Sequence, residues 1–377
     1  MFPQLDPAEA TYLARLIVSI LGILFLLGLV FWMIRRKQKT PNTESLSAII
    51  SEGSDSDNST VAHSEISNRS FVLEQAYRAW KAERLLQSED GRSLFLRAGV
   101  EKSGLRYQLV ASSQVQALAI LLITLMAEVD PKASSQAEAL FASLLAHPAY
   151  GQSDLSSWQY LPDLPRSPKL DPDPHAEAWL IIALRNANKH WPAMNRFHYS
   201  EIIPGRMHAL HDYAEMLDPE VVRQLPFSGY LVKQLQSMEP QLEWSAFQEN
   251  KDLVYSLFEE RDPIEGEQDV GKLGFSLLQL ALLAWLDQDP DALRAIRNAE
   301  TSLRQLVEDY TGGSSTETDF SRIAMLALAV PAVLSLQDRL LADEVWDELT
   351  SAQPDKNDGL GATLRLLGMA FLADRQF

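Results

Sequence analysis

VQALAILLITLMAEV, residues 115–129, is apolar on every side. A surface helix carries one apolar stripe, whereas a helix that is apolar all round belongs in an inner layer or in a bilayer. Three further stretches share this character: HAEAWLIIALRNANKHW (175–191), GFSLLQLALLAWL (274–286) and FSRIAMLALAVPAVLSL (320–336). Between them lie one-sided amphipathic stretches such as SQAEALFASLLAH (135–147), PDALRAIRNAETSLRQLVEDY (290–310) and LLADEVWDELTSA (340–352). Alternation of the two kinds predicts two concentric helical layers. A solenoid would repeat at a fixed short period, and none is found. No run of two-residue alternation is long enough to demand a sheet.

The helical pattern extends back to FVLEQAYRAWKAERLL (71–86), where Leu73, Ala76, Tyr77, Trp80 and Arg84 fall at spacings of three and four. Upstream the chain changes twice. Residues 16–34, LIVSILGILFLLGLVFWMI, form 19 residues without a charge, about the length that crosses a 30 Å hydrocarbon core. Arg35, Arg36 and Lys37 follow directly, as in a stop-transfer flank rather than a signal-peptide cleavage site. Residues 1–40 are therefore expected to be a single-pass inner-membrane anchor, with the lipid bilayer as partner of 16–34. Basic residues cluster after the span, and the positive-inside bias puts the body in the cytoplasm. Residues 41–70 hold nine serines and the acidic run SEGSDSDNST, the composition of a disordered tether.

Of 377 residues, 33 are basic and 51 acidic, and none is cysteine. The net charge of −18 argues against nucleic acid as a partner, because tracking phosphates needs a basic face. Disulfides, thiolate zinc sites and cysteine nucleophiles are excluded. Beyond residue 40, 28 basic and 49 acidic residues remain, a net −21, a surface that anionic lipid heads repel.

Three stretches, in order, resemble glycoside hydrolase family 8, the bacterial endoglucanases that include the cellulase of cellulose-synthesis operons. YRAWKAERLLQSEDGRSLFLRAG (77–99) resembles that family's opening helix and turn, with Trp80-Lys81 followed by Asp90-Gly91-Arg92. ASSQVQALAILLITLMA (111–127) resembles its Thr-Val-Ser-Glu-Gly-Gln-Gly-Tyr-Gly-Met helix start, with Ser113 on the Ser and Gln116 on the Gln. HAEAWLIIALRNANKHW resembles its Asp-Ala-Asp-Leu-Trp helix through Ala176, Trp179, Ala183, Leu184, Ala187 and Trp191. The tail GATLRLLGMAFLADRQF (361–377) resembles the last helix. The resemblance implies an all-α, (α/α)6 barrel over residues 71–377, in agreement with the two layers read from periodicity.

Family 8 chemistry rests on carboxyl groups flanking the scissile bond, one of which protonates the leaving oxygen. The position of the family's acid holds Gln114, whose amide has no proton of useful acidity. The first Asp of Asp-Ala-Asp becomes His175 and the second becomes Glu177. The third carboxylate would precede a later apolar helix, and GKLGFSLLQLALLAW offers Leu273 there. Val115, Ala117 and Ala119 stand where the family has glycines. These substitutions together imply a degenerate site, with Trp158, Gln116 and Glu177 left as candidate substrate-binding residues. Trp158 lies where the family carries a substrate-facing Trp; Trp179 and Trp191 read as core.

His208 and His211 stand one helical turn apart near His198, but zinc needs a closed set of ligands, and an exposed helix face is the simpler reading. Neither metal nor cofactor is implied. The expectation is a membrane-anchored, catalytically inactive family 8-like protein. It would bind a glycan or a partner, such as a polysaccharide synthase complex, in exopolysaccharide or cellulose synthesis or export. Two alternatives stand beside it: an active endo-β-1,4-glucanase-like hydrolase with shifted carboxylates (Asp171, Asp173, Glu177, Asp262, Glu265, Glu267 or Asp269), and a cytoplasmic helical scaffold with no carbohydrate role. A polymeric glycan would favour an extracytoplasmic body, against the charge bias.

Overall fold

The computed structural model describes residues 58–374 apart from 89–90, 92, 104–105, 163–168, 193–195, 226–228, 245–269, 312–318 and 356. The chain opens with helix α1 (Asn58–Arg84), followed by strands β1 (Leu85–Gln87), β2 (Leu94–Leu96), β3 (Gly99–Ser103) and β4 (Arg106–Ser112). Helices α2 (Ser113–Leu125) and α3 (Ala133–Ala146) come next, then β5 (Pro148–Ala149), β6 (Gln152–Ser156) and β7 (Gln159–Tyr160). The remainder is helical: α4 (Pro174–His190), α5 (Tyr199–Met216), α6 (Pro219–Gln224), α7 (Gly229–Met238), α8 (Val270–Trp285), α9 (Pro290–Asn298), α10 (Glu300–Thr311), α11 (Asp319–Leu336), α12 (Arg339–Ser351) and α13 (Gly359–Leu372).

Six of these helices form the inner ring. Packing runs from α2 to α4, α7, α8, α11 and α13, and from α13 back to α2. The outer helices lie against them: α3 on α2, α5 on α4, α9 on α8, and α12 on α11 and α13. The inner positions follow from sequence. In α2 every residue except Gln114 is buried, so a helix without a polar face finds apolar neighbours all round. At about 25 cal/mol per Å2 of apolar surface removed from water, this burial is the main force holding the ring together. Side chains including Leu118, Trp179, Leu278, Leu328, Leu367 and Phe371 meet around a small apolar void.

Helix starts are set by local chemistry. Asp173 caps α4 by accepting from the amides of His175 (3.0 Å) and Ala176 (3.3 Å), with Pro174 at the first helical position. Asp358 caps α13 through the Gly361 amide at 2.7 Å. The ring closes there. Arg84, at the end of α1, donates to the carbonyls of Pro354 (3.2 Å), Asp355 (2.8 Å) and Asp358 (2.9 Å). Gly359 is required at this joint, because a Cβ would stand 2.0 Å from the Arg97 carbonyl oxygen.

The fold differs from the sequence reading in two places. First, α1 begins at Asn58, so residues 58–70, assigned to the tether, are helical. Residues 58–84 contain no proline or glycine to interrupt a helix. Arg69 pairs with Asp343 and donates to the Leu372 carbonyl at 3.3 Å, and its guanidinium lies 5.1 Å from the Trp346 ring centroid. Second, short antiparallel strands interrupt the helices. β1 pairs with β2, β3 with β4, β4 with β7, and β5 with β6. Each is two to seven residues long, too short for alternation to show in sequence. The expected membrane span 16–34 and the rest of the tether, 41–57, lie outside the described residues. Among the described residues, no helix is long and apolar enough to cross a membrane.

Candidate functional site

The site residues enter the structure in pairs, two positions apart on α2 and on α4. Gln114 and His175 occupy the first turns of these two neighbouring inner helices and meet, with Gln114 Nε2 3.3 Å from His175 Nδ1. His175 is buried, and Nε2 on the other side of its ring accepts from the Trp179 indole Nε1–H at 3.0 Å. The Phe275 ring of α8 stands edge-on to the imidazole, with centroids 4.7 Å apart. α8 thus reaches the same place. Leu273 is in the first turn of that helix, and its side chain lies outside the described residues.

These contacts fix the chemistry of the imidazole. An indole N–H only donates, so His175 Nε2 is an acceptor and carries no proton. Burial pushes the imidazole down to about 3, so at neutral pH the ring is uncharged and its one proton sits on Nδ1. That N–H needs an acceptor, which a half-turn of the Gln114 amide supplies as its oxygen. The result is a neutral chain from Trp179 through His175 to Gln114. It can orient groups, but neither residue offers a proton of the acidity that glycosidic cleavage needs.

Carboxylates do stand nearby. Burial pushes the Asp173 carboxyl above its usual range, but its Oδ1 is committed to the two capping amides. Asp171 is exposed, and its backbone carbonyl accepts from the Trp158 amide at 3.0 Å. Burial, then the charges of Asp171 and Asp173, push the Tyr213 phenol of α5 up.

Trp158 is 47% exposed, in contrast to Trp179 at 1%. Its carbonyl accepts from the Ser113 amide at 3.0 Å, which fixes it beside the start of α2, next to Gln114. The structure therefore brings Trp158, Gln114 and His175 to one end of the α2–α4 pair.

Gln116 and Glu177 are corrected. Both were read as substrate-binding, and both are fully buried in structural roles. Two residues along a helix is about 200° of rotation, so each points away from its neighbour at the mouth. Gln116 clamps β2: its Oε1 accepts from the Leu96 amide at 2.9 Å and its Nε2 donates to the Leu96 carbonyl at 2.8 Å. Glu177 forms a buried ion pair with Arg206 of α5, at 2.7 and 2.9 Å from Nη2 and 3.2 Å from Nε. The Ser156 amide donates to Glu177 Oε1 at 2.7 Å, and Arg206 Nη2 donates to Ser156 Oγ at 2.9 Å. No sequence signal marked Arg206, which is one arginine in an ordinary polar stretch. The His175–Trp179 bond did have a signal, the i, i+4 spacing on one helix face.

His211 is used for packing. Its Nε2 lies 3.0 Å from the Glu243 carbonyl and its ring is edge-on to Trp244 at 5.4 Å. Among the described residues, no three His, Asp or Glu side chains are grouped to hold a metal.

The chain, with its ring of inner helices and the outer helices packed on it, has the same fold as solved family 8 glycoside hydrolases. The chain is similar to a β-1,3-1,4-glucanase from Paenibacillus sp. X4, with TM-score 0.63 and 12% identity over 83% of this chain and 93% of that one. It is also similar to a cold-adapted family 8 xylanase, with TM-score 0.57 and 11% identity over 81% and 92%. A protein of Paenibacillus barcinonensis in complex with xylose gives TM-score 0.58 and 15% identity over 83% and 94%. No family model matches the sequence, and no curated protein matches it. Identities of 11–15% carry the fold and not the activity.

Proposed function

We propose that this protein is a catalytically inactive member of the family 8 fold that binds a glycan or a partner in exopolysaccharide or cellulose synthesis or export. The observation that carries the reading is the contact of Gln114 with His175. The resemblance assigns an acid carboxyl to the first position and an aspartate to the second, and here a neutral amide meets a neutral imidazole. Bond cleavage needs a proton delivered to the leaving oxygen and a carboxylate to activate water, and this pair supplies neither. Trp158, exposed beside the pair, supports retained carbohydrate contact, since an aromatic face packs against the apolar face of a sugar.

In this reading residues 16–34 hold the protein in the inner membrane and the acidic body stays off anionic lipid. The basic flank favours a cytoplasmic body, where the partner would be the synthesis machinery. Protease added to spheroplasts tests the side: the reading expects protection, and digestion of the body from outside would place it with the exported polymer.

The functional test uses the full-length protein in detergent with β-1,4-glucan, mixed-linkage glucan and xylan. Reducing ends and oligosaccharide binding are measured together. Binding without release of reducing ends is expected. Release that disappears on replacing Asp171 or Asp173 would show a working hydrolase with relocated carboxylates.

A further inference from the structure

The strap of residues 170–172 holds two exposed aromatic side chains at once. The Tyr150 amide donates to the Leu170 carbonyl at 2.9 Å and the Trp158 amide donates to the next carbonyl, that of Asp171, at 3.0 Å. Ser157 ties the same strap down: its Oγ accepts from the Leu170 amide at 3.3 Å and donates to the Pro148 carbonyl at 3.0 Å, and Ser157 bridges to Pro172. Two main chains hydrogen-bonded to consecutive residues are close neighbours, with Cα atoms at most about 15 Å apart.

Both side chains face solvent. Tyr150 is 71% exposed at the turn between β5 and β6, where Gly151 takes a left-handed φ of +69°. Three aromatic residues stand out as exposed among the described residues, Phe71, Tyr150 and Trp158, and the main chains of two of them are bonded to this strap. Scattered exposed apolar residues need no explanation, but two aromatics fixed to adjacent carbonyls by a rigid backbone network are not scattered. The neighbouring chain is polar: Ser153 and Asp154, between the two aromatics in sequence, and Asp171, whose carbonyl holds Trp158, are exposed. Flat aromatic faces with carboxylate acceptors on the same loops suit a neutral polyhydroxylated chain, whose rings present apolar C–H faces and whose hydroxyls donate. The carboxylates speak against an anionic lipid surface, which they would repel.

We infer that Tyr150 and Trp158 form one binding strip for an uncharged β-linked oligosaccharide, which runs from the Gln114–His175 mouth outward across the 170–172 strap. This deepens the proposed function and rests on it. Trp158 takes the sugar nearest the mouth, and Tyr150 takes a unit further along the chain, which a short oligosaccharide does not reach.

Isothermal titration of the full-length protein with cellobiose and cellohexaose tests this, using wild type, Tyr150→Ala, Trp158→Ala and, as a control elsewhere on the surface, Leu340→Ala. All three side chains are exposed, and circular dichroism checks that each variant folds. Trp158→Ala should weaken both ligands by tenfold or more. Tyr150→Ala should weaken cellohexaose by about fivefold and leave cellobiose unchanged, and Leu340→Ala should change neither. If wild type binds cellohexaose and Tyr150→Ala binds it equally well, the strip is wrong while glycan binding stands. Should wild type bind neither ligand, nor xylohexaose in the same format, the glycan-binding function fails and the strip fails with it.

Discussion

Gln114 and His175 sit two residues before Gln116 and Glu177 on the same pair of helices, yet the two pairs have opposite fates. The first pair meets at the mouth, and Gln114 is the one residue of α2 that is not buried. The second pair is turned outward into the wall, where Gln116 replaces a missing strand partner for Leu96 and Glu177 neutralises Arg206. The contrast shows that residue type alone does not mark function. A buried carboxylate with every oxygen engaged holds two outer elements, β6 and α5, to the ring. A neutral amide at the mouth holds little and faces the space where a ligand would come.

This contrast can be broken by mutation, beginning with the largest expected effect. Glu177→Ala leaves the Arg206 guanidinium buried without a counter-charge and should cost about 3–5 kcal/mol in chemical denaturation. Replacing both residues, as Glu177→Leu with Arg206→Met, should recover much of that loss. A single variant that unfolds like wild type would mean the pair is not closed.

Next comes the pH dependence of His175. Its folded-state imidazole is held near 3, well under the ordinary 6.5, by burial. As pH falls below 6.5 the unfolded chain takes up the proton first, so stability that is full at neutral pH declines by about 1.4 kcal/mol per pH unit toward pH 3. His175→Asn should flatten that part of the stability profile.

Gln116→Leu strands the Leu96 amide and carbonyl and should cost about 2 kcal/mol. Gln114→Ala should cost about 1 kcal/mol or less, because the mouth is open enough for water to replace the amide. If Gln114→Ala costs as much as Gln116→Leu, the distinction between mouth and wall collapses. Gln114→Glu should restore no hydrolysis, since His175 still stands at the second position.

Much of this was legible in the sequence because burial writes itself as hydrophobic periodicity. Residues 115–129 read as a buried inner helix, which the structure ends at Leu125; periodicity gave two layers, and the resemblance to family 8 supplied the ring. The approach of Gln114 to His175 was implied by the resemblance, in which they occupy the positions of the family's acid and first Asp. What escaped was decided by contacts distant in sequence. Arg206 is 29 residues from Glu177, and nothing local says that they meet. Leu96 lies 20 residues before Gln116, and a side chain that imitates a strand partner has no sequence signature. Composition misjudged residues 58–70, where serine and asparagine suggested a tether; Arg69, docked on Asp343 and Leu372, shows what anchors the end of that segment. Tyr150 was not singled out because a lone tyrosine before a glycine reads as a turn, and only the strap beneath it shows its neighbour to be Trp158.

The central claim is that a neutral, hydrogen-bonded imidazole and amide stand at the mouth in place of a proton-delivering carboxyl pair. Nitrogen-15 NMR of the His175 ring reports this directly. The account predicts a proton on Nδ1, a bare Nε2 facing Trp179, and no titration between pH 8 and pH 5. A His175 that titrates near its ordinary 6.5, or that carries its proton on Nε2, would contradict it.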